Sequence, residues 1–316
     1  AMTRDKLPFA PARSVATLMT STTHARPAIA GFALSDVWQL TKPRIALMVV
    51  ITAAAGFVLD ARLRFEWALF LQAMVGTALL AAGAGTLNQW WEREIDLSMA
   101  RTAGRPLPAG RMAPGVALWI GVAFTVVGLA WLVMAVNALT ALLGVVTLVG
   151  YLVLYTPAKR ITSLATILGA FPGAVPPMMG WTAAHGELGS GAWALFGILF
   201  LWQLPHFLAI AWMYRDEYRA AGFPMLTDND STGIRTARQA LLYCAALVPV
   251  SLLPSALQLA GPIYALGALV LGFAFFTFCI GFYRERSRDA ARRLLLASVL
   301  YLPALLPLLL LNRVAR

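Results

Sequence analysis

Charge is scarce in this chain. Only 12% of its 316 residues are Asp, Glu, Lys or Arg, and just 14 are acidic. A sequence that poor in charge and 60% hydrophobic does not build two soluble domains; it reads as an all-α polytopic membrane protein. Cysteine is scarcer still. Cys244 and Cys279 both lie inside apolar runs, without the spacing of a disulfide framework or a metal knuckle. No apolar core precedes a cleavage site in the first 35 residues, so a cleaved signal peptide is not expected. Residues 1–35 read as a flexible polar arm, and 36–316 as one membrane domain. A Gly-rich phosphate loop is also missing, which weighs against ATP.

Apolar sequence is what the chain has instead. Nine runs can be marked, at 43–60, 66–91, 114–136, 138–156, 163–184, 191–213, 238–259, 262–283 and 294–312. Each is long enough for a tilted membrane helix, so a bundle of nine transmembrane helices is expected. Alternating the sides puts 21 of the 25 Lys and Arg residues with the N-terminus, leaving Arg62, Arg64, Arg313 and Arg316 opposite. That asymmetry predicts a cytoplasmic N-terminus and an external C-terminus. A net charge of +11 would raise nucleic acid as a partner for a soluble protein. Here the basic residues sit in short loops, where topology and anionic headgroups account for them. The bilayer is the expected partner, and nucleic acid is not.

The acidic residues follow no topology rule, yet they gather on the same side in two clusters. Asn88, Glu92 and Asp96 recur every fourth residue, which on a helix stacks them on one face about 6 Å apart along the axis. Arg101 and Arg105 follow, themselves four residues apart. An acidic stripe at the mouth of a membrane helix is costly unless paired or metal-bound. Glu94 points off that stripe and reads as a solvated residue. Four runs later come Asp216, Glu217, Asp228 and Asp230, as a duplicated four-helix unit would place them. Between the clusters lie Lys159 and Arg160. Hard oxygen ligands and paired cations on one face suit a diphosphate bridged by Mg²⁺, which takes only one or two protein carboxylates. A diphosphate carried on an apolar chain would put its head at this face and its tail among the helices.

Two runs carry further features. The fifth holds Gly169, Pro172, Gly173, Pro176, Pro177, Gly180 and Trp181, and close helix packing accounts for these as readily as a cavity does. The sixth holds Trp202, Gln203, Pro205 and His206. A Gln and a His around a proline either repair the backbone gap or face a ligand, and the residues alone leave both open. His24 and His185 read as incidental.

Together these residues resemble the UbiA superfamily of intramembrane prenyltransferases, and within it the branch that farnesylates protohaem IX. The resemblance rests on Leu40–Arg44, on Asn88–Asp96 with Arg101–Leu107, and on Tyr155–Arg160 with Gly173–Trp181. It rests also on Trp202–Phe207 with Asp216–Leu226. Two departures stand out: Glu92 occupies a position that usually holds Asp, and the Asp-Tyr pair of the second motif appears as Asp216, Glu217 and Tyr218. The resemblance implies a nine-helix bundle in the cell inner membrane that joins farnesyl diphosphate to protohaem IX (haem B), giving haem O. It implies Mg²⁺ held by Asn88, Glu92, Asp96, Asp216 and Glu217. Arg101, Arg105, Lys159, Arg160 and Tyr218 would act on the diphosphate, and Trp202, Gln203 and His206 on the haem. A haem A synthase is the candidate protein partner. The competing readings are a sister enzyme with a quinone-type or chlorophyll-type acceptor and an organic-anion transporter. Charge gathered at one face rather than at mid-membrane disfavours transport.

Overall fold

The computed structural model describes residues 33–60 and 65–314, and these are helical apart from their connections. Residues 1–32, which make up most of the expected flexible arm, lie outside the described residues, as do Arg62, Arg64 and Arg316. A short α1 (Leu34–Leu40) leads into α2 (Pro43–Asp60), α3 (Trp67–Glu92) and α4 (Pro114–Ala135). Helix α5 (Ala138–Leu148) runs on through a π-helical turn, Val149–Tyr155, into the single turn α6 (Thr156–Ala158). Next come α7 (Ala165–Ala174), α8 (Pro176–His185), α9 (Ser190–Met213) and the short α10 (Arg215–Ala220). The chain ends with α11 (Ile234–Val250), α12 (Leu253–Ala256), α13 (Pro262–Glu285) and α14 (Arg288–Leu311).

All nine apolar runs fold as helix, so the all-α membrane architecture holds. Among the described residues, seven helical segments are each long and apolar enough to cross a bilayer. The bent pair α1–α2, which turns through 52° around Thr41 and Lys42, makes an eighth if taken as one span. The expected ninth, run 163–184, is interrupted. Pro176 and Pro177 have no N–H to donate, so helical hydrogen bonding lapses there and the run divides into α7 and α8 of ten residues each, although Val175 between them keeps helical backbone angles. Ten residues rise about 15 Å, half the hydrocarbon core, so neither piece spans alone.

The connections are fixed by side chains the sequence marks. Asn137 caps α5 by accepting from the Thr140 N–H at 2.8 Å, and its amide donates to the Thr182 carbonyl at 2.8 Å. Gly261 opens α13, where Asn312 Oδ1 accepts from the Tyr264 N–H at 2.9 Å and ties it to the end of α14.

Packing is organised around α9, the most enclosed of the spans, which touches α7, α8, α11 and α14. Helix α4 lies outermost, with Trp119, Val126 and Met134 exposed where lipid tails would meet them. Between membrane helices the hydrophobic effect is weak, and close backbone approach takes over. The crossing of α2 with α8 is built this way. A Cβ on Gly180 would stand 1.7 Å from the Ala53 carbonyl oxygen, and one on Gly56 would stand 2.0 Å from that of Pro177.

The crossing therefore tolerates no side chain at either position. Gly180→Ala is expected to lower stability by about 1–3 kcal/mol through overpacking. Gly281→Ala, on α13 with open space around its position, should leave stability unchanged or slightly raised. Thermal unfolding of both variants in the same detergent checks this, and equal midpoints would refute the close crossing.

Candidate active site

The acidic stripe lies where α3 leaves the membrane. Asn88 and Glu92 occupy successive turns of α3, and Asp96 lies on the 3₁₀ turn Ile95–Ser98 that follows. All three are buried, at 2%, 7% and 3% exposure, so their charge and dipoles must be answered within the protein. Each has its own cation. Lys42 donates to Asn88 Oδ1 at 2.5 Å, Lys159 pairs with Glu92 Oε1, and Arg105 Nη1 meets Asp96 Oδ2 at 2.7 Å. Thr102 donates to the Asp96 carbonyl at 2.8 Å, which holds the turn shut.

Asn88 is held from its other end as well. Its amide donates to Thr156 Oγ1 at 3.1 Å, and that hydroxyl donates to the Tyr151 carbonyl at 2.8 Å. The π-helical turn makes this chain of contacts. Its wider winding brings the Thr156 N–H and hydroxyl to one carbonyl, and turns Thr156 and Lys159 toward α3. Lys159 also sits over the rings of Tyr155 and Phe223, at 5.8 and 5.4 Å from their centroids. Beside it, a cleft is lined by Glu92, Thr156, Lys159 and Arg160.

The second cluster reaches this face through its aromatic residue, not its carboxylates. Arg101 donates to Tyr218 Oη at 2.9 Å and lies over the rings of Tyr214 and Tyr218. This joins the α3–α4 connection to α10. Asp216 and Glu217 are exposed on α10, and Asp216 lies 3.9 Å from Arg215. Asp228 pairs with Arg219 at 2.6 Å. Asp230 is buried, and burial alone would raise its carboxyl. Two hydrogen bonds from Thr236, through N–H and Oγ1 at 2.8 Å each, overcome that and hold it below the usual range. Asp230 is thus committed to the start of α11. Glu94 pairs with Arg93 in solvent, as its position off the stripe predicts.

Among the described residues no three His, Cys, Asp or Glu side chains converge on a point that could hold a metal. The donors on the stripe nevertheless fit a hard divalent cation. They are all oxygens, two of them carboxylates, and Mg²⁺ asks for no more from a protein when phosphate and water complete its shell. Five cationic side chains, Lys42, Arg101, Arg105, Lys159 and Arg160, stand against the two buried carboxylates, so the site as a whole calls for an anion. Lys42 and Thr156 were not among the expected site residues. The sequence does carry a trace of each: a lysine directly before the proline that opens an apolar run, and a hydroxyl near the end of another.

The three residues expected to meet the acceptor divide between two sides of α9. Trp202 and His206 face α14, stacked at 5.4 Å, and both bond to Ser298. Gln203 faces α7, where its amide donates to the Ala170 carbonyl at 3.3 Å, and it also donates to the Leu199 carbonyl of its own helix at 2.9 Å. It occupies the space that a side chain on Gly173 would need.

Residues 49–302 match the UbiA prenyltransferase family. The chain is 46% identical over 289 residues to the protoheme IX farnesyltransferase of Solibacter usitatus (strain Ellin6076), an alignment covering 89% of this chain and 99% of that one. It is 46% identical over 279 residues to the protein of the same name from Salinibacter ruber (strain DSM 13855 / M31), covering 88% and 99%. Among solved structures, digeranylgeranylglyceryl phosphate synthase superposes with a TM-score of 0.76 at 15% identity, over 88% of this chain and 98% of that one. A UbiA homologue from Archaeoglobus fulgidus bound to GPP and Mg²⁺ gives 0.62 at 14%, over 87% and 99%. At such identities these structural likenesses concern the fold. The family match runs from the second turn of α2 into α14 and takes in the whole acidic stripe with Arg105 and Lys159, while Lys42 lies just before it. The chain belongs to the UbiA prenyltransferase family.

Proposed function

We propose that residues 36–316 form a multi-pass enzyme of the cell inner membrane that joins farnesyl diphosphate and protohaem IX to give haem O, working at the cytoplasmic face. The observation that carries this reading is the cation-rich acidic stripe at the end of α3, in a chain so similar along its length to protoheme IX farnesyltransferases. The reaction consumes water and balances simply. The C1–O bond of farnesyl diphosphate breaks and diphosphate leaves. C1 bonds to the terminal carbon of a haem vinyl group, water adds to the carbon next to the porphyrin ring, and a proton is lost.

The first requirement is charge stabilisation on the leaving group. Arg101, Arg105, Lys159 and Arg160 hold the phosphate oxygens, and Tyr218 keeps the Arg101 guanidinium in place through its hydroxyl and ring. Glu92 and Asp96, with Asp216 and Glu217 from α10, are the carboxylates available to Mg²⁺, which when bound supplies positive charge to the diphosphate. Asn88, fixed between Lys42 and Thr156, orients the head group. The second requirement is a dry, electron-rich wall for the allylic cation. The ring faces of Tyr155 and Phe223 already accept the Lys159 ammonium and are suited to that role. The acceptor is held by α9, where Trp202 and His206 offer a flat pair beside a porphyrin and Gln203 braces the helix from behind. A haem A synthase would be the partner that takes up the product.

Haem extracted from cells overproducing the protein should contain a later-eluting farnesylated species on reversed-phase chromatography. An unshifted profile, with both substrates supplied, would sink the reading. Glu92→Gln removes the buried carboxylate while keeping its shape, and turnover should fall by about 10² or more, with helicity retained by circular dichroism. Chelation with EDTA should abolish product formation, and Mg²⁺ but not Na⁺ should restore it; full activity in the chelator would refute the metal assignment. Lys42→Met should raise KM for farnesyl diphosphate about tenfold, the scale of one charged hydrogen bond, while KM for protohaem stays the same.

A further inference from the structure

Ser298 sits on α14, fully buried, and makes contact with both members of the aromatic pair on α9. Its backbone carbonyl accepts from Trp202 Nε1 at 2.8 Å. Its hydroxyl lies 2.8 Å from His206 Nδ1 and donates at 2.6 Å to the carbonyl of Leu295, one turn back on α14. A serine hydroxyl has a single proton. Since that proton is given to Leu295, the oxygen can only accept from His206, so Nδ1 must carry the imidazole proton. Nε2 then keeps its lone pair, and it has no hydrogen-bond partner among the described residues. The ring cannot readily swing away, because Trp202 stacks on it at 26° between planes and Phe207 meets it edge-on at 5.6 Å.

We propose that Ser298 is a positioning residue for the acceptor. It fixes the tautomer and the plane of His206, so that Nε2 is presented as a nitrogen ligand to the iron of an incoming protohaem. This inference rests on the reading of α9 as the haem-binding element. The arrangement has the form in which proteins prepare imidazole ligands, where the nitrogen not used for the metal is anchored by a hydrogen bond that sets tautomer and orientation. The carbonyl and hydroxyl of Ser298 have separate tasks. Removing the hydroxyl leaves the Trp202 bond to the backbone, and with it that tie between α9 and α14, in place.

The test uses the full-length protein in nanodiscs, titrated with ferric protohaem and followed by its visible and electron paramagnetic resonance spectra. The wild type should show a nitrogen-ligated haem, and His206→Ala should lose that signature. Ser298→Ala should bind protohaem about tenfold more weakly, the usual scale for losing an outer-shell partner of a metal ligand, and show a mixed ligation state. KM for farnesyl diphosphate should not move in either variant. Ser298→Thr, which keeps the hydroxyl, should restore the wild-type spectrum. If Ser298→Ala matches wild type while His206→Ala loses ligation, Ser298 has no positioning role and the reading of α9 survives. If His206→Ala itself leaves binding and spectrum unchanged, both fall. Failure of Ser298→Thr to restore the spectrum would make packing rather than the hydroxyl the cause, and would also overturn the proposal.

Discussion

Two carboxylates buried where a membrane helix ends are the constraint on which the rest of this structure turns. Glu92 and Asp96 cannot be left ionised and alone at such depth, since removing a charge from water without a partner costs several kcal/mol or more. The fold answers by bringing cations from distant parts of the chain. Lys159 comes from the end of the π-turned fourth span, Arg105 from the loop after α3, and Lys42 from the bend before α2 supports Asn88 beside them. None of these pairings is local in the sense of a single helix face. The loop geometry at this end of the bundle is therefore decided by electrostatics, and the apolar helices only bring its parts within reach.

The opposite kind of contact holds the bundle itself. At the α2–α8 crossing, Gly56 and Gly180 each let a carbonyl oxygen in where a methyl group would not fit. Helix α9 then serves as the common wall, with Gln203 wedged against Gly173 on one side and Trp202 and His206 anchored to α14 on the other. Polar side chains in its interior are all engaged, mostly with carbonyls of neighbouring helices. That suits a helix with Pro205 in its middle, where hydrogen bonding within the helix is incomplete.

Much of this was legible in the sequence, and for identifiable reasons. Apolar run length marks the helices, and the four-residue spacing of Asn88, Glu92 and Asp96 puts them on one stripe. That Lys159 and Arg105 lie on the same face as the stripe follows from where charge collects along the chain. What was not legible depends on geometry finer than periodicity. Run 163–184 reads as one span, and in the structure helical hydrogen bonding lapses at Pro176 between α7 and α8. Asp230 reads as one more member of the second acidic cluster, but two hydrogen bonds from Thr236 hold it at the start of α11. The hydroxyl of Tyr218 makes the direct bond from α10 to Arg101, which the motif alone does not indicate. Ser298 gave no signal at all, because an isolated serine in an apolar run has the same appearance whether it binds its own helix or a neighbour.

The π-helical turn at Val149–Tyr155 has a consequence for the sequence register of the site. A π turn holds one residue more than the α turn it replaces, and here the surplus is what sets Thr156 and Lys159 facing Asn88 and Glu92. If the same residues wound as an ordinary α-helix, hydropathy would be untouched but the surplus residue would no longer be absorbed. Everything beyond it would then rotate by about 100°, taking Lys159 away from Glu92. A chain one residue shorter here could thus present the same groups from an unbroken α-helix, whereas a chain of this length needs the π turn to do so.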